Sequence, residues 1–438
     1  MSKSILRLLG AALLICCCAA AGIRSLTILH TNDLHARLTP ADDGRGGFAY
    51  LDAVIARERA NCSDCILLNA GDLVQGTPVS TIFHGVPVYG LGNLFGFDAA
   101  TLGNHEFDYG WRQAKSFIEI ASYPIVTSNL NGPDGKLFTP QPYVLLHVNG
   151  LRVAVIGAMT ENLVTLTTPA TRGDCRTLPL LATVHKVAAE VRPKSDLIVV
   201  LGHLSGEEET ALLDSEPDVA VIVSGHLHKG LEQAVVRDGR VLVRVKGYGE
   251  ELGRLELKVD TEKKAAASWK WARIPVERIA PDAAMARGVA YWEGEVSARV
   301  DRPLAISEKQ YDTHAVKRLI EQALRDETGA DFAFMNQGGV RDGLPKGQLL
   351  ERNIWDIMPF DNEVVVGRFK GRDLPAVVVG DRKIDPNREY SLAVSDYTAA
   401  NQNTSENLRT SGLKFPEDRG VMRDMLIDWF RKKRVIGD

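Results

Sequence analysis

A chain of 438 residues is long enough for two domains. Its apolar fraction of 45% and charged fraction of 25% are those of a soluble globular protein. A formal net charge of −4 leaves no basic footprint for a nucleic-acid polymer or an anionic membrane surface.

The N-terminus differs in kind. Lys3 and Arg7 precede an apolar run over 8–18, and Ala19-Ala20-Ala21 puts small residues at both A-x-A positions. That pattern predicts a secretory signal over residues 1–21, cleaved after Ala21 and too short for a membrane span. A lipoprotein signal is the alternative, although Cys16 follows Leu13-Leu14-Ile15 without the usual small residue. The expected compartment is periplasmic or secreted. Cys62, Cys65 and Cys175 remain after cleavage. In an exported chain the C-x-x-C pair reads as a local disulfide or as free thiols, and Cys175 has no assigned role.

Residues 25 to about 260 read as alternating strands and helices. Strands are predicted at 26–31, 65–70, 197–201 and 219–223. Each runs into a polar loop: Asp33-Leu34-His35, Gly71-Asp72, Gly202-His203 and Gly225-His226-Leu227-His228. A further apolar run at 98–102 leads into Gly103-Asn104-His105-Glu106-Phe107-Asp108. Loops at the ends of strands are where an open α/β sheet places its ligands. Helices are predicted at 47–60, 111–121 and 181–192. Asn149-Gly150 and Asp238-Gly239 are hairpin signals, so the sheets mix parallel and antiparallel strands. Strands at 255–259 and 267–273 are expected to close the edge. A helical pattern at 282–300 follows Pro281 and fits a connector. Beyond it come a helix at 313–328, strands at 332–335 and 390–394, and a last helix at 421–433.

Asp33, His35, Asp72, Asn104, His203, His226 and His228 form one candidate ligand set. Carboxylate, amide and imidazole together suit divalent transition metals such as zinc or manganese. Seven ligands exceed one tetrahedral zinc and suit two ions that share a carboxylate, with Asp72 the central candidate in chain order. Such a pair holds and acidifies a water and grips phosphoryl oxygens. His105 directly follows a ligand and is a candidate general acid, with Asp108 to orient it. His30 is expected on a buried strand. His84, His147, His185 and His314 carry no motif.

The motifs DLHARL, GDLVQGTP, GNHEFDYG, GHLSG and SGHLHKG, in this order, resemble those of the calcineurin-like metallophosphoesterases. NQGGVRDG and MPFDNEVVVGRFKG resemble the C-terminal domain of the 5′-nucleotidase and UDP-sugar hydrolase branch. The resemblance implies a four-layer α/β/β/α metallophosphoesterase domain over 22–280 and a linker helix over 281–304. It implies an α+β substrate-binding C-terminal domain over 305–438. It also implies Asp33, His35, Asp72 and His228 on one metal, and Asp72, Asn104, His203 and His226 on the other, with His105 and Asp108 as catalytic dyad. Asn336 and Arg341 match nucleotide-contacting positions, and Phe360 matches one of two aromatics that sandwich the base. The glycine-rich segment that carries the second aromatic is absent. The chain reads Tyr397-Thr398-Ala399-Ala400-Asn401 there, and Tyr397 is the candidate replacement. The expected function is an exported two-metal phosphohydrolase acting on a small molecule, most simply a nucleoside 5′-monophosphate. The same chemistry on a cyclic nucleotide, UDP-sugar, sugar phosphate or sulfur-linked sulfate is the alternative.

Overall fold

A computed structural model describes residues 22–41 and 43–437. The predicted signal segment, 1–21, lies outside the described residues.

Side chains alternate across extended backbone, and in the central strands both faces are apolar. In Ile23–Thr31, Leu26 and Ile28 face one core and Leu29 the other. In Leu197–His203, Leu197, Val199 and Leu201 face the first of these cores while Ile198 and Val200 face a third. Strands buried on both sides need covering layers, and two sheets result. The first has the order Ala265–Pro275, Glu251–Asp260, Ile23–Thr31, Cys65–Asn69, Ala99–Ala100. The second has the order Val235–Arg237, Arg240–Val243, Val221–Gly225, Leu197–His203, Leu151–Met159, Tyr143–Val148. Leu26, Ile28, Val153, Val199 and Val223 fill the space between them. Helices Phe48–Ala60 and Trp111–Ile120 cover the first sheet through Leu51, Val54 and Phe117. Helices Leu180–Val191 and Gly206–Ser215 cover the second through Val184 and Leu212. The layers are therefore α/β/β/α.

Most elements fall within two residues of their predicted bounds, and the exceptions have local causes. Leu197–His203 extends through His203, whose backbone registers with Met159 and Gly225, so this histidine sits on a strand and not in a loop. Glu251–Asp260 is an interior strand, paired antiparallel with Ile23–Thr31, and of the two expected closing strands only Ala265–Pro275 lies at an edge. Asn149 and Gly150, at φ 49° and 71°, make the predicted tight turn. His30 is buried and stacks on Trp271 at 5.4 Å, whereas His84, His147, His185 and His314 are not buried.

Helix Ala283–Val300 opens with the Asp282 carboxylate accepting from the N–H groups of Ala284 and Met285. Its Met285, Val296 and Val300 pack into the core of the first sheet. The remaining chain builds a sheet of order Phe332–Ala333, Glu389–Ser395, Glu363–Lys370, Glu417–Val421. Helices Thr313–Thr328 and Met422–Lys433 pack against it through Val316, Ile320, Leu426 and Phe430. Tyr397 lies just past the strand Glu389–Ser395, as expected, in the short helix Asp396–Ala400. The two halves touch where Thr81 Oγ1 donates to the Pro359 carbonyl at 2.7 Å and Tyr397 Oη to the Thr165 carbonyl at 3.1 Å. Cys62 and Cys65 are disulfide-bonded. Cys175 is free and buried, and burial pushes its thiol up to about 11. Among the described residues, no helix is long and apolar enough to cross a membrane.

Candidate metal centre and substrate cavity

The candidate ligands sit at or just beyond strand ends, where the backbone turns sharply. Asp33, His35, Asp72, His226 and His228 have φ of 52°, 48°, 52°, 82° and 53°. That left-handed region is costly for residues with a Cβ and persists only where surrounding structure enforces it. Two loops also approach each other too closely for a side chain. A Cβ on Gly103 would lie 2.1 Å from Asp72 Oδ1, so glycine is required before Asn104. Glu106, fully buried, then ties these loops together. Its carboxylate accepts from the backbone N–H groups of Asp72, Leu73 and Gly103 at 3.1, 2.9 and 2.6 Å.

Ligand atoms of Asp33, His35, Asp72 and His228 lie within 4.8 Å of one another, and so do those of Asp72, His203 and His226. Asp72 belongs to both groups. Asn104 Oδ1 lies 3.2 Å from His203 Nε2 and joins the second. All seven residues singled out in the sequence thus converge on one carboxylate.

The electrostatics of this cluster fit a pair of divalent cations. His35 Nε2 and His228 Nε2 face each other at 2.8 Å, and two imidazoles cannot both donate there. Asp72 Oδ2 is buried 3.1 Å from His203 Nε2 and makes no aligned hydrogen bond among the described residues. Burial, reinforced by neighbouring positive groups, lowers His226 and His228 to about 3, which leaves them as the neutral imidazoles that ligation needs. Burial also pushes Asp72 up, but His203, His105 and His35 outweigh it and hold the carboxyl well below its usual range. The other ring nitrogens are directed away. His203 Nδ1 lies 2.8 Å from the Ala70 carbonyl, and His228 Nδ1 lies 3.3 Å from Tyr248 Oη. Such outer contacts orient ligating histidines.

His105 stands beside this cluster. Its Nδ1 lies 2.7 Å from Asp108 Oδ2. Burial lowers its pKa, but the Asp108 and Asp72 carboxylates more than offset this and raise it above the ordinary value. Both residues border a cavity of about 350 Å³. Asn336, Arg341, Phe360 and Tyr397, from the C-terminal half of the chain, line that same cavity. The Phe360 ring lies 6.1 Å from the His105 ring. Its backbone is fixed by Arg423, which donates to the Phe360 carbonyl at 3.0 Å, pairs with Asp361 and stacks over Trp355 at 3.7 Å. Gln75, Thr167, Thr171 and Glu406 also line the cavity and are not singled out by the sequence. Gln75 lies inside the GDLVQGTP motif. Glu406 falls in the segment that departs from the expected glycine-rich pattern, and the threonines follow no chemical template.

Known proteins share this two-domain build. The calcineurin-like phosphoesterase family matches residues 26–230, and the 5′-nucleotidase C-terminal domain family matches residues 294–381. Endonuclease YhcR of Bacillus subtilis is 27% identical over 85% of this chain, and the match spans only 34% of YhcR. Protein UshA of Yersinia enterocolitica is 25% identical over 82% of this chain and 77% of UshA. A 5′-nucleotidase precursor structure from Thermus thermophilus superposes with a TM-score of 0.84 at 22% identity, over 94% of this chain and 97% of that one. The sulfate thiohydrolase SoxB structure from Thermus thermophilus gives a TM-score of 0.81 at 17% identity, over 94% of each chain. The chain is a metal-dependent phosphoester hydrolase that carries a calcineurin-like phosphoesterase domain followed by a 5′-nucleotidase C-terminal domain.

Proposed function

We propose that this chain is an exported two-metal phosphohydrolase that converts a nucleoside 5′-monophosphate, or a related nucleotide, and water into nucleoside and inorganic phosphate. The observation that supports it most is the shared cavity. His105, Asp108 and the ligand candidates Asp72, Asn104, His226 and His228 line it together with Arg341 and Phe360. Asp33, His35, Asp72 and His228 hold one ion in this reading, and Asp72, Asn104, His203 and His226 the other, with zinc or manganese as the ions. A bound pair supplies Lewis acidity toward phosphoryl oxygens and acidifies the attacking water.

The protein groups do the remaining work. With Nδ1 engaged by Asp108, His105 carries a transferable proton on Nε2. That proton passes to the ester oxygen as its bond to phosphorus breaks, and water supplies the new P–O bond. Asp108 holds the ring and its tautomer. Arg341 Nε and Nη2 have no hydrogen-bond partner among the described residues, so they are available to substrate oxygens. Asn336 adds a polar contact, and Phe360 and Tyr397 offer aromatic faces to a base. Residues 1–21 supply export, 22–280 the metal domain, 281–304 the linker, and 305–438 the substrate-binding domain.

A second reading keeps the metal chemistry and changes the ester. It draws on Tyr397, whose hydroxyl is tethered to the Thr165 carbonyl in place of a free ring, and on the lack of any aromatic in the segment that follows it. The test is hydrolysis of nucleoside monophosphates, cyclic nucleotides, UDP-sugars, phenyl phosphate and a sulfur-linked sulfate, with and without chelator. Metal-dependent preference for nucleoside monophosphates supports the first reading. Preference for a base-free or sulfur-linked ester favours the second, and activity that survives chelation contradicts both.

A further inference from the structure

Gln75 lies three residues beyond Asp72, in a backbone conformation that a residue with a Cβ avoids, φ 68°. Its surroundings hold it there: its N–H donates to Ser80 Oγ at 2.9 Å, and Tyr109 Oη donates to the same oxygen at 2.9 Å. The side chain gains nothing from this. Gln75 is only 1% exposed, and neither its Nε2 nor its Oε1 has a hydrogen-bond partner among the described residues. A primary amide carries two N–H donors and one carbonyl acceptor, and buried groups of this kind are nearly always paired, with protein groups or with ordered water. An apolar side chain of the same length would fill the space without the desolvation cost.

What the fold does not use, a ligand can. Gln75 borders the cavity shared by His105 and Arg341. Arg341 likewise has two nitrogens without protein partners among the described residues. The nearby carboxylates of Asp72 and Asp108 already face imidazoles. Free donors gathered beside the ligand cluster suit an anion more than a cation or a neutral base. We propose that Gln75 is a substrate-contacting residue, its amide N–H donating to a non-bridging oxygen of the phosphate group. This rests on the phosphohydrolase reading above, and no covalent step is assigned to Gln75.

The decisive variant is Gln75→Met, which keeps the length and the Cβ and removes the amide. Three quantities are measured: the Michaelis constants for phenyl phosphate and a nucleoside monophosphate, inorganic phosphate binding to the metal-loaded protein by calorimetry, and metal content with melting temperature. A hydrogen bond to a charged group corresponds to roughly tenfold or more in affinity. Gln75→Met is expected to raise both Michaelis constants by about that factor and to weaken phosphate binding in parallel. Metal content should stay full, and melting temperature should hold or rise. Gln75→Glu should weaken phosphate binding further, because a carboxylate then faces the anion. Unchanged phosphate affinity in Gln75→Met, or a loss that tracks loss of metal, overturns the proposal. If phosphate binding weakens as expected while no ester is turned over by wild type, the contact stands and the activity reading falls.

Discussion

The two walls of the cavity are built by different means. The metal wall is made by short loops, each a few residues past a strand, with strained backbone at Asp72, His226 and His228, and at Asp33 and His35 behind them in the ligand cluster. Its dyad partners, His105 and Asp108, are three residues apart. The facing wall is assembled from distant parts of the chain. Arg423 reaches the Phe360 carbonyl across 63 residues, Tyr397 reaches Thr165 across 232, and Thr81 reaches Pro359 across 278. Rigid local geometry suits chemistry that any ester of phosphate needs. A wall assembled at long range suits selection among esters, since it can change without disturbing the ligands. Chemistry and selection should therefore separate under mutation.

The largest effect is expected at Asp72, which belongs to both ligand groups. Asp72→Asn should reduce bound metal below that of a variant at any single-site ligand such as His203→Ala, and activity should fall with it for every ester. Elemental analysis of purified protein alongside turnover checks this. Equal metal loss in the two variants would show that Asp72 is no bridge.

Next comes His105. General acids contribute on the order of 10²–10⁴-fold. His105→Ala should lower turnover of phenyl phosphate by that range with metal content intact. For nitrophenyl phosphate, whose leaving group needs little help from a proton, the loss should be much smaller. Equal losses on both esters would argue against proton donation. The pH dependence carries a sign as well. Asp108 raises the His105 pKa after burial has lowered it, so the acid form survives to higher pH than an ordinary imidazole allows. Activity should fall as pH rises through that raised pKa, and Asp108→Asn should move the fall to lower pH.

A smaller, selective effect is expected at Tyr248. Its hydroxyl lies 3.3 Å from His228 Nδ1, and its own φ of 66° marks another strained position. Outer contacts of this kind are worth about 10–100-fold in metal affinity. Tyr248→Phe should weaken one of two sites in a calorimetric metal titration and spare the other. A uniform loss at both would mean general loosening.

How legible these features are in the sequence follows the same division. All seven ligand candidates can be read because each lies beside a strand end within a motif of a few residues, and chain-local geometry carries them to one point. The hairpin at Asn149-Gly150 is legible for the same reason. Glu106 sits inside GNHEFDYG, yet its task, gathering the N–H groups of Asp72, Leu73 and Gly103, depends on two loops meeting in space. Tyr248 and Arg423 have no motif at all, and their roles arise from contacts 20 and 63 residues away. His203 reads as a loop residue because Gly202 looks like a stop. In the fold, that glycine continues the strand between neighbours on both sides. Tyr397 reads as lying just past a strand, and it does, but the short helix that holds it is not legible: the Ser395 side chain caps it by accepting from the Thr398 N–H.

The claim that the second wall selects substrate is tested most directly by one ratio. It is catalytic efficiency for a nucleoside 5′-monophosphate divided by that for phenyl phosphate, measured in wild type and in Phe360→Ala. Stacking by one aromatic is worth roughly 1–3 kcal/mol per base, and about 1.4 kcal/mol is a factor of ten. The ratio should therefore fall about tenfold or more in Phe360→Ala, with phenyl phosphate turnover nearly unchanged. An unchanged ratio would contradict this, since the wall that Phe360 lines would then play no part in choosing the ester.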